Sequence, residues 1–400
     1  MEVVAKIIFI LQLLFIIYIS ISAIYYLLFA VAGLYAQDYA PPIKHKKKDF
    51  CILIPGYQED IVIVNVAADA LKQAYPKEKY DVYVIADTFK EETIQDLKNI
   101  PVHVIEVKFR ISTKARAINK ALETIEKNYD AVVILDADNL MDPNFLKKMN
   151  NALHSGAVAI QAHRMAKNLD TTFSVLDGIS EEVNNHIFRR GHRALGLSSA
   201  LIGSGMVFDF HLYKRLMNGV DSHAEDKDLE IKLFSENYKI EFYDQTYVLD
   251  EKVSKSDVFV KQRSRWLANQ FLYARRYFFR AIAELFRGNI DFFDKIFQYM
   301  LPPRIILLGT VYIILLLSIL FNPLYYTIAW SAIFIMVNVA IAISVPKRFY
   351  NRTTLRHLLS LPQGFLLMLV SAMRFKEAVK AFNPTPKTGS SDFNQKKKKA

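Results

Sequence analysis

Ala131-Val132-Val133-Ile134-Leu135-Asp136-Ala137-Asp138 decides how this chain is read. Five apolar residues in a row, three of them β-branched, make a strand buried on both faces, the kind that parallel sheets contain. The two carboxylates that follow then emerge at its carboxyl end, the edge where open α/β sheets bind ligands. A D-x-D pair there is a natural grip for a divalent cation, because Mg²⁺ takes one or two carboxylates plus phosphate oxygens. Two solvated acids in a turn would be spelled the same way. The triplet therefore draws its meaning from its surroundings.

On both sides of it, strands and helices alternate. Strands are predicted at 51–55, 81–86, 102–107, 131–135 and 157–161, with helices at 61–74, 91–98, 113–127 and 143–153. Apolar strands separated by helices of this length predict an α/β fold built on a doubly wound, mostly parallel sheet. No internal repeat interrupts the pattern.

The ends are different. Apolar residues make up 52% of the 400-residue chain, and they concentrate at 7–34, 302–321 and 324–345, each long enough to cross a bilayer. A cleaved signal peptide would need a shorter apolar core and a more basic start than Glu2 and Lys6 provide, so 7–34 reads as a retained anchor. A fourth stretch, 358–373, is shorter and holds Pro362, Gln363 and Gly364, which fits a re-entrant or interfacial helix. Between 267 and 286, aromatic and leucine positions alternate with Arg275, Arg276 and Arg280, with Arg287 just beyond. That pattern suits a helix lying at headgroup level, and equally a surface helix packed on its own domain.

The net charge of +11 is clustered beside these spans, at 44–48, at Lys347, Arg348 and Arg352, and at 396–399. That placement points to membrane lipids and the positive-inside rule rather than to nucleic acid. The single Cys51 excludes an intrachain disulfide and fits a reducing compartment.

Polar residues follow the other strands too. Glu59 comes after the first and Asp87 ends the second; either would suit a ribose or base, and either could be a helix-capping acid. Lys114, on a predicted helix with Arg116, Asn119 and Lys120, could reach a phosphate or an acid. Gly203-Ser204-Gly205 allows close backbone approach to a ligand, or simply turns the chain. Glu225-Asp226 opens a helix, and Gln262-Arg263-Ser264-Arg265-Trp266 leads into the amphipathic stretch. Arg265 can pair bidentately with phosphate, and Trp266 can seat a sugar ring or anchor at the interface.

Taken in order, Pro55-x-x-x-Glu59, Asp87, Lys114-x-x-x-x-Asn119, Asp136-x-Asp138, Glu225-Asp226 and Gln262-x-x-Arg265-Trp266 resemble the membrane-embedded glycosyltransferases of family 2, the group of cellulose, chitin and hyaluronan synthases. The resemblance spans 50–266 and the flanking helices. It implies a GT-A-like domain with transmembrane and interfacial helices, a nucleotide-sugar donor, usually UDP-linked, and inversion at the anomeric carbon. Carried over residue by residue, it makes Asp226 the catalytic base. Glu59, Asp87, Lys114, Asp136, Gln262 and Arg265 become donor-binding, Asp138 the ligand of Mg²⁺ or Mn²⁺, and Glu225 and Trp266 acceptor-binding. Thr385 and Lys387 resemble a gating loop over the donor. Gly56, Gln58 and Ala224 depart from the residues usual at their positions.

The implied layout is a transmembrane anchor over 1–43, a cytosolic GT-A domain over 44–266 and interfacial helices over 267–300. A transmembrane hairpin follows over 301–346, then a re-entrant or interfacial helix over 347–381, and a gating loop with a basic tail over 382–400. The implied place is the plasma (inner) membrane with the catalytic domain cytoplasmic. The implied acceptor is a growing β-linked polysaccharide. Three spans are few for threading a polymer, so an export partner, a homo-oligomer or a lipid-linked acceptor is expected alongside. A catalytically silent nucleotide-binding scaffold is the reading from another class.

Overall fold

The computed structural model describes residues 2–37, 46–254 and 256–374. The candidate gate at Thr385 and Lys387 and the tail lysines lie outside them. The chain forms two compact units, one from Asp38–Asn168 with Ser198–Lys252, the other from Met1–Gln37, Leu169–Leu197 and Val253–Phe382.

The first unit is a sheet flanked by helices. Its strands are β1 (Phe50–Tyr57), β2 (Tyr80–Asp87), β3 (His103–Val107), β4 (Ala131–Ile134), β5 (Leu140–Met141), β6 (Ala159–Ala166), β7 (Met206–Asp209) and β8 (Glu241–Asp250). They lie in the order β3-β2-β1-β4-β7-β6-β8-β5. β3, β2, β1 and β4 run parallel, and β6 runs parallel to β8. β7 is antiparallel to both β4 and β6, and β5 to β8. The sheet is thus mostly parallel, with the antiparallel β7 set into its middle.

The helices of this unit are α2 (Ile63–Ala70), α3 (Glu91–Lys98), α4 (Lys114–Thr124) and α5 (Phe145–Leu153), with α8 (Phe210–Met217) and α9 (Glu225–Ser235) later in the chain. Ile52 and Ile54 of β1, Val133 of β4 and Val207 of β7 share a core with Ile63, Val66 and Ala67 of α2. Each fully buried aliphatic side chain of that kind contributes roughly 1.5–3 kcal/mol. That core holds the strand ends rigid, and the site is built on them.

The second unit is helical. It contains α1 (Glu2–Leu34), α6 (Thr172–Asn184), a π-helical stretch (Asn185–Gly191) and α7 (His192–Ala194). After the sheet unit come α10 (Ser256–Phe286), α11 (Ile290–Met300), α12 (Arg304–Phe321), α13 (Leu324–Ser344), α14 (Arg352–Leu358) and α15 (Leu361–Met373). Leu169–Leu197 falls within 44–266 of the sequence yet packs in this unit, because Val175, Ile179, Val183 and Ile187 join Ile19, Ala23 and Ala30 of α1 in one apolar cluster. Phe9–Leu34, Arg304–Phe321 and Leu324–Ser344 are long and apolar enough to cross a membrane. α14 and α15, bent by 44° at their junction, would make a fourth span if they act as one.

Gly191 fixes how closely α1 and the π-helical stretch approach. A Cβ at that position would stand 2.1 Å from the Phe29 carbonyl oxygen. Backbone cannot yield as a side chain tip can, so Gly191→Ala is expected to cost about 1–3 kcal/mol, as overpacking does. A thermal melt in detergent checks this; a midpoint equal to that of the wild type would contradict it.

Candidate active site

Three parallel strands bring their carboxyl ends to one edge. Tyr57 of β1 lies opposite Asp87 of β2, and Leu53 of β1 opposite Ile134 of β4. Glu59, Asp87, Asp136 and Asp138 therefore gather where the D-x-D triplet predicts. The turns after β1 and β2 are tight: Gln58 has φ 54° and Thr88 φ 60°, both left-handed without being glycine. Such residues store local strain and mark built sites. The Gln58 N–H donates to the Asp87 carbonyl at 3.1 Å, joining the two strand ends. Asp87 is 1% exposed and accepts from Thr88 Oγ1 at 2.9 Å. The departure at Gly56 has a local reason, since a Cβ there would lie 2.7 Å from the Phe89 ring.

The D-x-D segment is clamped from behind. The Asp136 N–H donates to Ser204 Oγ (2.9 Å), whose hydroxyl donates to Asn139 Oδ1 (2.6 Å). Asn139 Nδ2 in turn donates to Asp138 Oδ1 (2.9 Å) and to Asp250 Oδ1 (3.0 Å). Lys252 Nζ closes the chain on Asp250 Oδ2 at 2.8 Å. Asp138, Asn139 and Ser204 are all buried. A satisfied buried network of this sort fixes one geometry. Asn139, Asp250 and Lys252 carry no mark of this role in the sequence. An Asn beside D-x-D looks like any turn residue, and Asp250 is distant in sequence.

Lys114 joins the D-x-D segment to the acidic pair. Its ammonium lies 2.5 Å from Asp136 Oδ1, 3.2 Å from Glu225 Oε1 and 2.6 Å from the Gly203 carbonyl. Thr113 caps α4 by accepting from the Arg116 N–H, which sets Lys114 in the first turn. Gly203 and Gly205 have φ of +82° and +65°, so the loop between them can pass this close. Burial alone would lower the Lys114 pKa, but Asp136 and Glu225 outweigh it and raise it above the usual lysine range. Burial pushes Glu225 up to about 7; Lys114 opposes the shift, while Asp226 and Asp136 add to it. Burial likewise raises Asp226, whose Oδ1 accepts from the Lys227 N–H at 2.9 Å.

Among the described residues no three His, Cys, Asp or Glu side chains converge as a metal cage. By donor chemistry the two hard carboxylates Asp136 and Asp138 suit Mg²⁺ or Mn²⁺, and do not make the closed four-ligand set of a structural zinc. In chemical terms the edge offers a cation grip, an ammonium and a carboxylate with raised proton affinity.

Gln262, Arg265 and Trp266 belong to the helical unit, on the first turns of α10, where spacings of three and four residues put them on one face. The Trp266 ring, 38% exposed, carries the Arg263 guanidinium at 4.2 Å from its centroid. Arg263 is itself paired with Asp177. One indole face is therefore taken.

Residues 47–269 match the model of the family described as glycosyltransferase like family 2, more than half of the chain. The chain belongs to that family. A probable glycosyltransferase of Bacillus subtilis, YdaM, is 24% identical over 268 residues, and the match covers 62% of this chain and 62% of that relative. A solved mannosyltransferase of Pyrobaculum calidifontis, PcManGT, in complex with GDP-Man and Mn²⁺, superposes with a TM-score of 0.56 at 17% identity, over 89% of this chain and 94% of that one. At that identity the likeness establishes the fold, a GT-A-like domain with membrane helices, as the sequence implies.

For this glycosyltransferase the Glu225–Asp226 pair predicts a pH profile. Burial raises both carboxyls in the folded protein, Glu225 to about 7, so Glu225 is ionised above about pH 7 and takes up its proton as pH falls through it. The turnover-to-Michaelis ratio should rise with pH through an apparent pKa near 7 that belongs to the pair. Glu225→Gln should move that limb. A limb in the same place in the variant would detach it from the pair.

Proposed function

We propose that this family 2 enzyme transfers a sugar from a nucleotide-diphosphate donor, UDP-linked in the first instance, to an acceptor hydroxyl with inversion at the anomeric carbon. The observation that carries this is Lys114, whose ammonium lies between the D-x-D carboxylate Asp136 and Glu225 of the Glu-Asp pair. Donor grip and base thus belong to one cluster. Asp87 and Glu59 hold the nucleoside, and Lys114 and Asp136 the nucleotide. Asp138, steadied by Asn139, would hold Mg²⁺ or Mn²⁺ with Asp136 beside it. When bound, that cation neutralises charge building on the departing nucleotide. Asp226 takes the acceptor proton as the hydroxyl attacks from the face opposite the leaving group. Burial raises its pKa above the usual aspartate range, which makes it a stronger proton acceptor.

The basic residues at 46–48 and at Lys347 and Arg348 support a catalytic unit on the cytoplasmic face of the plasma (inner) membrane, by the positive-inside rule. Three described spans, or four if α14 and α15 act as one, are few for enclosing a channel, which favours a lipid-linked acceptor over export of a long product. Elongation of a β-linked polysaccharide, with a partner or a second copy providing the exit, is the second reading; the open face of Trp266 supports it. Product size separates the two. Radiolabelled sugar extracted into organic solvent at one residue per lipid supports the first. A water-soluble ladder or high-mass polymer would replace it with the second.

A further inference from the structure

We infer that the helical unit holds one anionic bilayer phospholipid in a groove bordered by α10, the end of α11 and α1, with its phosphate on Arg275. The groove encloses about 580 Å³ and is lined by Phe271, Ala274, Phe278, Met300 and Pro302. That lies in the range of ligand pockets, roughly 300–1,000 Å³.

Its few polar walls are turned away. Tyr18 Oη donates to the Met300 carbonyl at 2.7 Å, and Gln270 Nε2 to the Leu301 carbonyl at 3.0 Å. What remains inside is hydrocarbon, suited to an acyl chain and unsuited to a sugar or nucleotide, which would bury unpaired hydroxyls.

Depth and charge identify the headgroup. Pro303, also on the lining, immediately precedes Arg304, the first residue of a candidate span, so the groove opens at the level where the bilayer begins. Arg275 stands on its rim, exposed, with no hydrogen-bond or ion-pair partner among the described residues. Around it, Arg280 and Arg287 both pair with Glu284, and Arg276 lies over the Tyr277 ring. An unpaired cation above an apolar slot at the interface matches a lipid phosphate above its chain.

The test uses the purified full chain in non-ionic detergent, titrated with phosphatidylglycerol or phosphatidylcholine of matched chains and read by native mass spectrometry. The first phosphatidylglycerol should bind roughly fivefold more tightly than phosphatidylcholine, the effect of about one favourable cation at the surface. Arg275→Gln should erase that preference. Ala274→Trp should block the slot and abolish tight binding of both lipids, while Arg287→Gln should bind as the wild type does. Equal affinity for the two lipids, or an unchanged preference in Arg275→Gln, would overturn the assignment. So would inorganic phosphate alone reproducing the lipid's stabilisation against heat, because the slot would then be idle.

Discussion

Asp226→Asn is expected to bind the nucleotide-sugar as the wild type does and to lose transfer by ~10²–10⁴-fold, the usual cost of removing a general base. The substitution keeps the volume and an Oδ1 to accept from the Lys227 N–H, now at 2.9 Å, so the start of α9 stays formed. It removes only the ability to take a proton. Misfolding can be told apart from lost chemistry. Burial raises the Asp226 pKa, so the folded chain binds more protons than the unfolded one, and stability falls as pH rises through that pKa. The neutral Asn escapes the penalty, and the variant should melt no lower than the wild type at pH 8. Donor affinity by calorimetry and turnover by nucleotide release make the comparison. Near-normal turnover would remove Asp226 from the role and leave Glu225 as the candidate.

Asp138→Asn should fail at an earlier step. Asn139 Nδ2 can still donate to the remaining oxygen, at 2.9 Å in the present structure, so the clamp through Ser204 and Asp250 survives while the charge disappears. Donor affinity in the presence of Mn²⁺ is expected to drop by on the order of 10–100-fold or more, since losing even an outer partner of a metal ligand costs that much. It should become the same with Mn²⁺ as with a chelator. If wild-type affinity for the nucleotide is already indifferent to Mn²⁺ and Mg²⁺, the D-x-D pair serves another purpose.

Much of the sheet is legible because its signal is local. The apolar runs before Pro55, Asp87 and Asp136 become β1, β2 and β4 in parallel register, and the acids after them meet at one edge because parallel strands end together. β7 is not legible. Met206–Asp209 is four residues long and directly follows the Gly203–Gly205 turn, so nothing in its own letters says that it enters between β4 and β6. β8 pairs the adjacent aromatics Phe242 and Tyr243 with three polar residues in a row and so lacks a period of two, and the two-residue β5 is too short to carry a signal. The site divides in the same way. Asp136, Asp138, Glu225 and Asp226 stand out as acids at element ends. Asn139, Asp250 and Lys252 act through contacts of long sequence separation, which no spacing encodes. In the sequence Gln262, Arg265 and Trp266 lead into the amphipathic stretch; the structure extends α10 back through them to Ser256, putting all three on one helical face.

One measurement bears most directly on the claim that this edge is a glycosyl-transfer site. The purified full chain, with Mn²⁺ or Mg²⁺ and an extract of membrane lipids, is offered a panel of UDP- and GDP-linked sugars, and free nucleotide diphosphate is followed over time beside the Asp226→Asn variant. We expect the wild type to turn over at least one donor, release to need the cation, and the variant to bind that donor without releasing nucleotide. Release from no donor, or release at equal rates by the two proteins, would contradict it.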